Sequence, residues 1–165
     1  MRDVIAPDLD VLFCGINPGL YTAAIGHHFG RPGNRFWKVL HLSGFTPREL
    51  SPFEERELLR YGCGITNLVN FATARADELD DDDLARGARR LVRTVRRWRP
   101  RAVAVLGMDA YRTAFAKRRV AVGPQDERIG DAMVWALPNP SGLQASYQLP
   151  DLVRLFRALR EATRR

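Results

Sequence analysis

The sequence has few cysteines and no long apolar run. Cys14 and Cys63 are its only cysteines, too few for a four-cysteine zinc or iron–sulfur site supplied by this chain alone. Both fall in predicted strands, so we expect reduced, buried thiols. No stretch approaches the roughly 18 apolar residues that cross a bilayer, and the amino-terminal segment lacks the apolar core of a signal peptide. We therefore expect a cytoplasmic protein, associated with the nucleoid if it is bacterial.

Length and charge indicate one basic globular domain. The chain has 165 residues, 45% of them hydrophobic, which suits a single compact domain spanning residues 1–165. We find no internal repeat or low-complexity linker that would divide it. Its net charge of +7 at pH 7 favours DNA or RNA over acidic proteins as partners. Charge alone does not choose between the two nucleic acids.

Much of the positive charge lies in one segment that follows the acidic run Asp80 to Asp83. Apolar residues recur in this segment at intervals of three and four, which predicts an amphipathic helix. The buried stripe is Leu84, Ala88, Leu91, Val95 and Trp98. The solvated face holds Arg86, Arg89, Arg90, Arg93, Arg96, Arg97, Arg99 and Arg101. Acidic residues at the start of a helix and basic residues near its end suit the helix dipole, and phosphate binding by part of this face is the alternative.

Four short apolar runs are predicted to be β-strands. They are Asp10 to Cys14, Gly64 to Val69, Ala102 to Leu106 and Met133 to Leu137. Helical patterns between them begin at Asn34 and at the capping box Ser51-Pro52-Phe53-Glu54, and cover the arginine-rich segment, Met108 to Lys117 and Pro150 to Thr163. The alternation predicts a three-layer α/β/α fold with a short, mostly parallel central sheet. Arg118 to Gly130 is predicted to be a polar loop or a poorly formed hairpin.

Two rigid loops follow the first and last predicted strands. Gly15 to Leu20 follows one, and Pro138 to Leu143 follows the other. Because ligands bind beyond the carboxyl ends of strands in open α/β sheets, we expect both loops at one binding edge. A plain tight turn is the alternative for the first loop, since Asn, Pro and Gly are all turn formers. The second loop, equally rigid and glycine-containing, favours a shared ligand.

Several other site types are not indicated by these residues. The first loop lacks the third glycine of a dinucleotide fingerprint, Pro18 removes an N–H donor from it, and it holds no Walker-type lysine. His27 and His28 are adjacent, so their side chains point in different directions and no third ligand follows at usable spacing. We interpret them as loop or pocket-rim residues. No serine or cysteine lies in a nucleophile elbow, and we expect neither a metal nor another cofactor.

The two loops together resemble the mismatch-specific uracil-DNA glycosylase and thymine-DNA glycosylase family, within the uracil-DNA glycosylase superfamily. The resemblance rests on Gly15-Ile16-Asn17-Pro18-Gly19-Leu20 and Asn139-Pro140-Ser141-Gly142-Leu143. It extends to Pro32-Gly33-Asn34-Arg35-Phe36-Trp37-Lys38, Gly64-Ile65-Thr66-Asn67-Leu68-Val69 and Val105-Leu106-Gly107. Each piece is short, but the pieces occur in the family's order and together span nearly the whole chain. The resemblance implies the uracil-DNA glycosylase fold and removal of a base that has been flipped out of the duplex.

The resemblance assigns the first loop to catalysis and base binding. Asn17 falls on the asparagine that holds the attacking water, and a neutral carbonyl acceptor suits that task because departure of uracil leaves an oxocarbenium-like sugar. Phe29 matches the aromatic residue on which the base stacks, with core packing as its alternative. Gly15, with the main chains of Ile16 and Phe29, is expected to line the base pocket. Asp77 is a candidate carboxylate that assists Asn17, although an ordinary helix-start role suits it better.

The resemblance assigns the second loop to DNA binding. Leu143 matches the apolar wedge that fills the hole left in the base stack, with ordinary burial as its alternative. Its neighbours Ser141, Gly142 and Gln144 are expected to approach phosphate or the opposite base. Asn139 stands where efficient uracil-specific relatives place a histidine, so we expect slow turnover and a preference for poorly paired bases.

Two departures from the family pattern concern opposite-base preference. Ala145 stands where relatives can carry an arginine that reaches toward the DNA, and Asn67 stands where a lysine can occur. The departures predict weaker dependence on a guanine partner, or replacement of these interactions by Arg31, Gln144 or another arginine.

The sequence therefore predicts a monofunctional enzyme that removes uracil from double-stranded DNA by hydrolysis and so initiates base excision repair. Two alternatives remain. One is a glycosylase with a wider range of damaged or mismatched pyrimidines, and the other is a DNA-binding module that recognises lesions without turnover. We expect a monomer.

Overall fold

The computed structural model describes residues 1–141 and 146–164, which form a five-stranded sheet flanked by helices. The strands are β1 (Val11–Gly15), β2 (Cys63–Asn67), β3 (Ala102–Leu106), β4 (Gly123–Ile129) and β5 (Ala132–Leu137). Their order across the sheet is β2-β1-β3-β5-β4. All neighbouring pairs are parallel except β4 with β5, which is antiparallel. The predicted α/β class with a mostly parallel central sheet is confirmed.

Helices cover both faces of this sheet. The α-helices are α1 (Leu20–Ile25), α2 (Phe36–Leu42), α3 (Asp81–Trp98), α4 (Met108–Ala114) and α5 (Leu149–Thr163), and Pro52–Tyr61 and Ala76–Glu78 form 3-10 helices. Successive side chains of β1 point to opposite faces, so Phe13 packs with α2 and α5 while Leu12 packs with α3 and α4. This packing gives the predicted three layers. Within the described ranges, no helix combines the length and the apolar character needed to cross a membrane.

Capping side chains begin the helices where the sequence predicts. Asn34 Oδ1 accepts from the Phe36 N–H at 2.9 Å. Ser51 with Glu54 forms a capping box at Pro52–Tyr61, and Asp80 with Asp83 forms one at α3. Each box satisfies N–H groups that would otherwise have no partner in the first helical turn.

Three segments differ in part from the sequence-based expectation. Arg118 to Gly130 contains a strand, β4, which pairs antiparallel with β5 and shifts register between Pro124 and Arg128, so the irregular-hairpin alternative is correct and the loop alternative is wrong. Alternate residues of β4 face solvent, so the strand carries little apolar signal. Helix α1 has only six residues and largely exposed side chains, which is too short for a helical period to stand out. Helix α4 also ends at Ala114 rather than Lys117.

The arginine-rich helix α3 follows its predicted pattern with two exceptions. Leu84, Ala88, Leu91 and Val95 are buried as predicted. Trp98 is only half-buried, and the Arg97 guanidinium lies 5.2 Å from its ring centroid. Arg90 does not lie on the solvated face, because its guanidinium donates to the Asn67 and Leu68 carbonyls, at 2.7 Å each. Arg90 thus holds the carboxyl end of β2.

The two cysteines are free thiols buried in the strands, as expected. Burial raises the pKa of the Cys14 and Cys63 thiols above their usual range. A buried thiol that stays protonated is a poor nucleophile, so both side chains act as small apolar core residues.

Candidate active site

A cavity of about 570 Å³ opens at the carboxyl ends of the parallel strands. Gly15 ends β1, Asn67 ends β2 and Leu106 ends β3, and all three line this cavity. It collects every predicted site residue that the structure describes: Gly15, Ile16, Asn17, Phe29, Asp77, Asn139 and Ser141. The other predicted residues, Gly142, Leu143 and Gln144, lie outside the described residues, as does Ala145.

The amide of Asn17 is held in one orientation. Its Nδ2 donates to the Phe71 carbonyl at 3.1 Å and contacts Thr73 Oγ1 at 2.9 Å. The Thr73 hydroxyl donates its own hydrogen to the Arg75 carbonyl at 2.7 Å, so toward Asn17 it accepts. Both N–H groups of the Asn17 amide are therefore engaged by protein. The Oδ1 atom is the acceptor that remains for a ligand.

The absence of a side chain at Gly15 allows two neighbours to approach the main chain. A Cβ at this position would lie 2.6 Å from Asn67 Oδ1 and 3.3 Å from Phe29 Cζ. Phe29 adopts a left-handed backbone conformation with φ of 51°, which is unusual for an aromatic residue. Its ring stacks on Phe36 with centroids 4.1 Å apart and also lines the cavity. Local backbone strain thus places an aromatic surface beside Asn67.

The predicted main-chain groups of this loop differ in availability. The Ile16 carbonyl already accepts from the Val69 N–H at 2.9 Å, which ties the loop to the end of β2. The Ile16 side chain faces away, against Gly107. By contrast, no atom in residues 1–141 or 146–164 accepts from the Phe29 N–H. Of these two main-chain groups, the Phe29 N–H is the donor that remains for a ligand.

The ring of His28 orients the Asn67 amide. His28 is 2% exposed, and its Nε2 lies 2.7 Å from the Arg2 carbonyl. Because a carbonyl only accepts, Nε2 carries the hydrogen, and Nδ1 of the neutral ring is an acceptor. Asn67 Nδ2, 3.4 Å from this Nδ1, is then the donor. The Asn67 carbonyl oxygen is consequently turned toward Gly15 and the cavity.

The two histidines are thus not equivalent, and His28, expected as a loop or pocket-rim residue, is a loop residue that lies deeper than the rim. It is a buried part of the cavity wall, and its own carbonyl accepts from Trp37 Nε1 at 3.2 Å. His27 points elsewhere and pairs with Glu55, with 2.8 Å between Nδ1 and Oε2. Within the described ranges, no group of three or more histidine, cysteine or carboxylate side chains is arranged to hold a metal ion.

The second loop is anchored by Arg35. Its guanidinium donates to the carbonyls of Pro140 at 3.3 Å, Ser141 at 2.9 Å and Tyr147 at 2.8 Å. These three carbonyls lie on both sides of residues 142–145, so one side chain fixes both ends of that segment. The Asn139 side chain closes a local turn, because its Oδ1 accepts from the Ser141 N–H at 3.0 Å.

Asp77 lines the cavity but lies at its solvent-exposed part. Its side chain is 74% exposed and pairs with Arg75, with 3.2 Å between Oδ1 and Nε. It occupies the 3-10 helix Ala76–Glu78. This position fits the helix-start interpretation and leaves the carboxylate within the same cavity as Asn17.

The model of the Uracil DNA glycosylase superfamily matches residues 2–162 of this chain. The chain belongs to this superfamily. Members of the superfamily are hydrolytic glycosylases that act on DNA, which agrees with the basic charge and with a cavity lined by amides and an aromatic ring.

Four residues that shape this candidate site were not given their positioning roles from the sequence alone. Thr73 fixes Asn17, His28 orients Asn67, Arg35 anchors the second loop and Arg90 holds the end of β2. Each acts on a residue at least 22 positions away in sequence, so no local spacing could reveal the pairing. Asn67 was noted only for opposite-base preference, whereas it is 6% exposed and lines the cavity.

Proposed function

We propose that the protein is a monofunctional DNA glycosylase that hydrolyses the N-glycosidic bond of uracil flipped out of DNA, and thereby initiates base excision repair. The observation that carries the proposal is the fixed amide of Asn17, whose Oδ1 is the remaining acceptor of a group otherwise engaged by Phe71 and Thr73. An immobile acceptor can hold a water against the sugar without reorganising during the reaction.

In the proposed step, Asn17 Oδ1 accepts one hydrogen of the water, which directs the water oxygen toward C1′ of the flipped nucleotide. The new bond joins that oxygen to C1′. The C1′–N1 bond breaks, and its electron pair leaves with uracil. The proton of the water passes to solvent or to Asp77. Because the transition state resembles an oxocarbenium ion, positioning of the water matters more than its deprotonation.

Asn67 and Phe29 supply base selection in this proposal. Asn67 Oδ1 accepts from the N3–H of uracil, which stacks on the Phe29 ring. Cytosine has no hydrogen at N3, so its ring nitrogen would face the Asn67 carbonyl and leave two acceptors opposed. Thymine carries the same N3–H as uracil, so this contact alone does not separate those two bases.

The absence of a suitable amine supports a monofunctional enzyme. Strand cleavage through a Schiff base requires an amine nucleophile. The chain has two lysines, Lys38 and Lys117, and neither lines the cavity. Base release without strand cleavage is therefore expected.

Substrate preference follows from the cost of flipping. Asn139 provides an amide where efficient relatives carry a histidine, so assistance to the departing base is weak. We propose slow turnover with a preference for mismatched uracil, because a poorly paired base costs less to extrude. Leu143 is proposed as the wedge that fills the vacated stack. Asn67 belongs to the base pocket, so it offers no contact to an opposite guanine.

The test is a set of end-labelled DNA substrates: uracil opposite guanine, uracil opposite adenine, thymine opposite guanine, cytosine opposite guanine, and single-stranded uracil. After incubation, alkali cleaves abasic sites and reveals base release. We expect release of uracil, fastest opposite guanine, and none of cytosine. Strand breaks before alkali would contradict a monofunctional enzyme. Binding without any release would instead support the non-catalytic module.

The matched variants are Asn17→Ala and Asn70→Ala. Asn17→Ala should slow single-turnover release about 10³-fold, within the usual range for loss of a positioned acid–base partner. Asn70 is exposed outside the cavity, so Asn70→Ala should leave the rate unchanged. Equal rates in both variants would remove Asn17 from the mechanism.

A further inference from the structure

A second concave region lies at the opposite edge of the sheet, where β3 and β5 begin. This cleft of about 660 Å³ is formed by the end of α3, the β4–β5 turn and the residues before β1 and β3. The charged residues that line it are Asp8, Arg96, Arg99, Arg101, Arg128 and Asp131. Four guanidinium groups thus face two carboxylates, a net charge of +2 within one depression.

The arginines of this cleft are poorly neutralised by the protein. Arg96 and Arg101 form no side-chain hydrogen bond or ion pair with any described residue. Arg99 approaches the exposed Asp8 only to 3.9 Å, and Arg128 donates to the main-chain carbonyl of Asp131 at 2.9 Å. An exposed pair at such a distance contributes little. Most of the positive charge is therefore available to a ligand.

Helix-end electrostatics explain only part of this arrangement. Arg96 occupies the last turns of α3, where cations favour the helix dipole. Arg101 directly precedes β3 and Arg128 lies in β4, so no helix end accounts for either of them. The Arg96 stem also approaches the β4–β5 turn, with Cγ 3.8 Å from where a Gly130 Cβ would stand. The cleft gathers cations from two separate parts of the chain, residues 96–101 and β4.

We propose that this cleft binds the phosphodiester backbone of a second DNA segment, so that one molecule holds two segments at once. Guanidinium groups match phosphate oxygens in pairs, and the described residues that line the cleft include no aromatic ring on which a base could stack. Strands of about five residues separate the edges by roughly 17 Å, and the two sites face opposite ways. One straight duplex therefore cannot contact both. The proposal rests on DNA binding by the superfamily and not on uracil release.

The test is capture of a second duplex. A biotinylated, uracil-free duplex is immobilised and loaded with protein, and retention of a fluorescent duplex is then measured between about 50 and 200 mM salt. We expect salt-sensitive capture by the wild-type protein. Arg96→Glu with Arg101→Glu should reduce capture about tenfold or more and lower the salt slope by roughly 2, because two arginines no longer bind phosphate.

The matched control is Arg89→Glu with Arg93→Glu, two exposed arginines of α3 outside the cleft. Both double variants lower the net charge from +7 to +3, since each substitution removes two charges. Equal losses in the two would assign capture to overall charge and overturn the cleft. The neutral pair Arg96→Gln with Arg101→Gln repeats the test if the charge reversal impairs folding.

Two further measurements distinguish capture of a second DNA segment from self-association and from peptide binding. Light scattering reports self-association. If capture of the second duplex occurs only where the protein forms dimers, and persists in the cleft variant, the proposal is overturned. Binding of an acidic peptide to the cleft without capture of DNA would also overturn it. Uracil release in single turnover should change less than about twofold in the cleft variant. A protein that captures two duplexes yet releases no uracil would uphold this inference while refuting the glycosylase proposal.

Discussion

The two edges of the sheet present different kinds of polar group. At the carboxyl ends of the strands, the Asn17 and Asn67 amides are neutral and held by Thr73 and His28. At the amino ends, four exposed guanidiniums outnumber the two carboxylates of Asp8 and Asp131. Fixed neutral groups suit a reaction in which geometry determines the rate. Mobile charges suit attraction to a polyanion whatever its sequence. Positioning and electrostatic attraction thus belong to opposite ends of the strands of one sheet.

Among substitutions that leave Asn17 in place, the largest effect should come from Gly15→Ala, which tests whether the site at the carboxyl ends of the strands depends on geometry. The new Cβ would lie 2.6 Å from Asn67 Oδ1, so the amide must move. Single-turnover release of uracil should fall about 100-fold, as expected for a displacement near 1 Å. Gly19→Ala is the control, because a Cβ there meets nothing within 4 Å. Similar rates for both variants would mean that the cavity is not preorganised.

A smaller loss is expected from Thr73→Val, which removes the oxygen that accepts from Asn17 Nδ2. One hydrogen bond contributes about 0.5–1.5 kcal/mol, so release should slow by up to roughly tenfold at saturating enzyme. Thr73→Ser keeps the hydroxyl and should restore most of the rate. If Ser and Val behave alike, the hydroxyl does not position Asn17.

Arg35→Lys should have a modest effect that depends on the DNA substrate. A lysine cannot reach the Pro140, Ser141 and Tyr147 carbonyls together, so the ends of the second loop lose their common anchor. We expect release from duplex uracil to fall about fivefold, while single-stranded uracil, which requires less unstacking, is little affected. Arg157→Lys, which alters a contact to Leu42 on another surface, is the control. Equal losses on both DNAs would point to general destabilisation of the protein, which a lower melting temperature of the variant would reveal.

The smallest change is expected from Asp77→Asn. Asp77 is exposed and paired with Arg75, so its carboxylate should contribute less than about threefold to the single-turnover rate. Variants of Asp77 test most directly whether neutral amides, rather than a charged group, determine the rate at the carboxyl ends of the strands. If Asp77→Ala or Asp77→Asn abolishes release while Asn17→Ala retains it, the carboxyl-end edge works through charge and the assignment of roles is reversed.

Sequence patterns predict the inner strands of the sheet better than the outer strand β4. The apolar runs of β1, β3 and β5 identify buried strands because both of their faces are covered by helices. Strand β4 is not identified in this way, because it pairs with a neighbouring strand on one side only and its alternate side chains face solvent. Capping residues such as Ser51 and Asp80 are predictable for the opposite reason: their partners lie three residues away.

The candidate site was likewise predictable from the sequence only in part. The loop that carries Asn17 could be predicted because its residues are contiguous. The orientation of its amide could not, because Thr73 is 56 residues away, and the Arg35 contacts to the second loop span more than 100 residues. Such pairings depend on the tertiary fold and leave no periodic or local signal in the sequence.

The hydrogen bond between His28 and the Arg2 carbonyl has a practical consequence. The segment that supplies this carbonyl is also joined to β2, through Val4 with Ile65 and Asp3 with Thr66. Deletion of residues 1–3 would therefore disturb the orientation of Asn67 without touching any residue of the cavity. The substrate range of such a variant should differ from that of the unaltered chain, with weaker discrimination against cytosine.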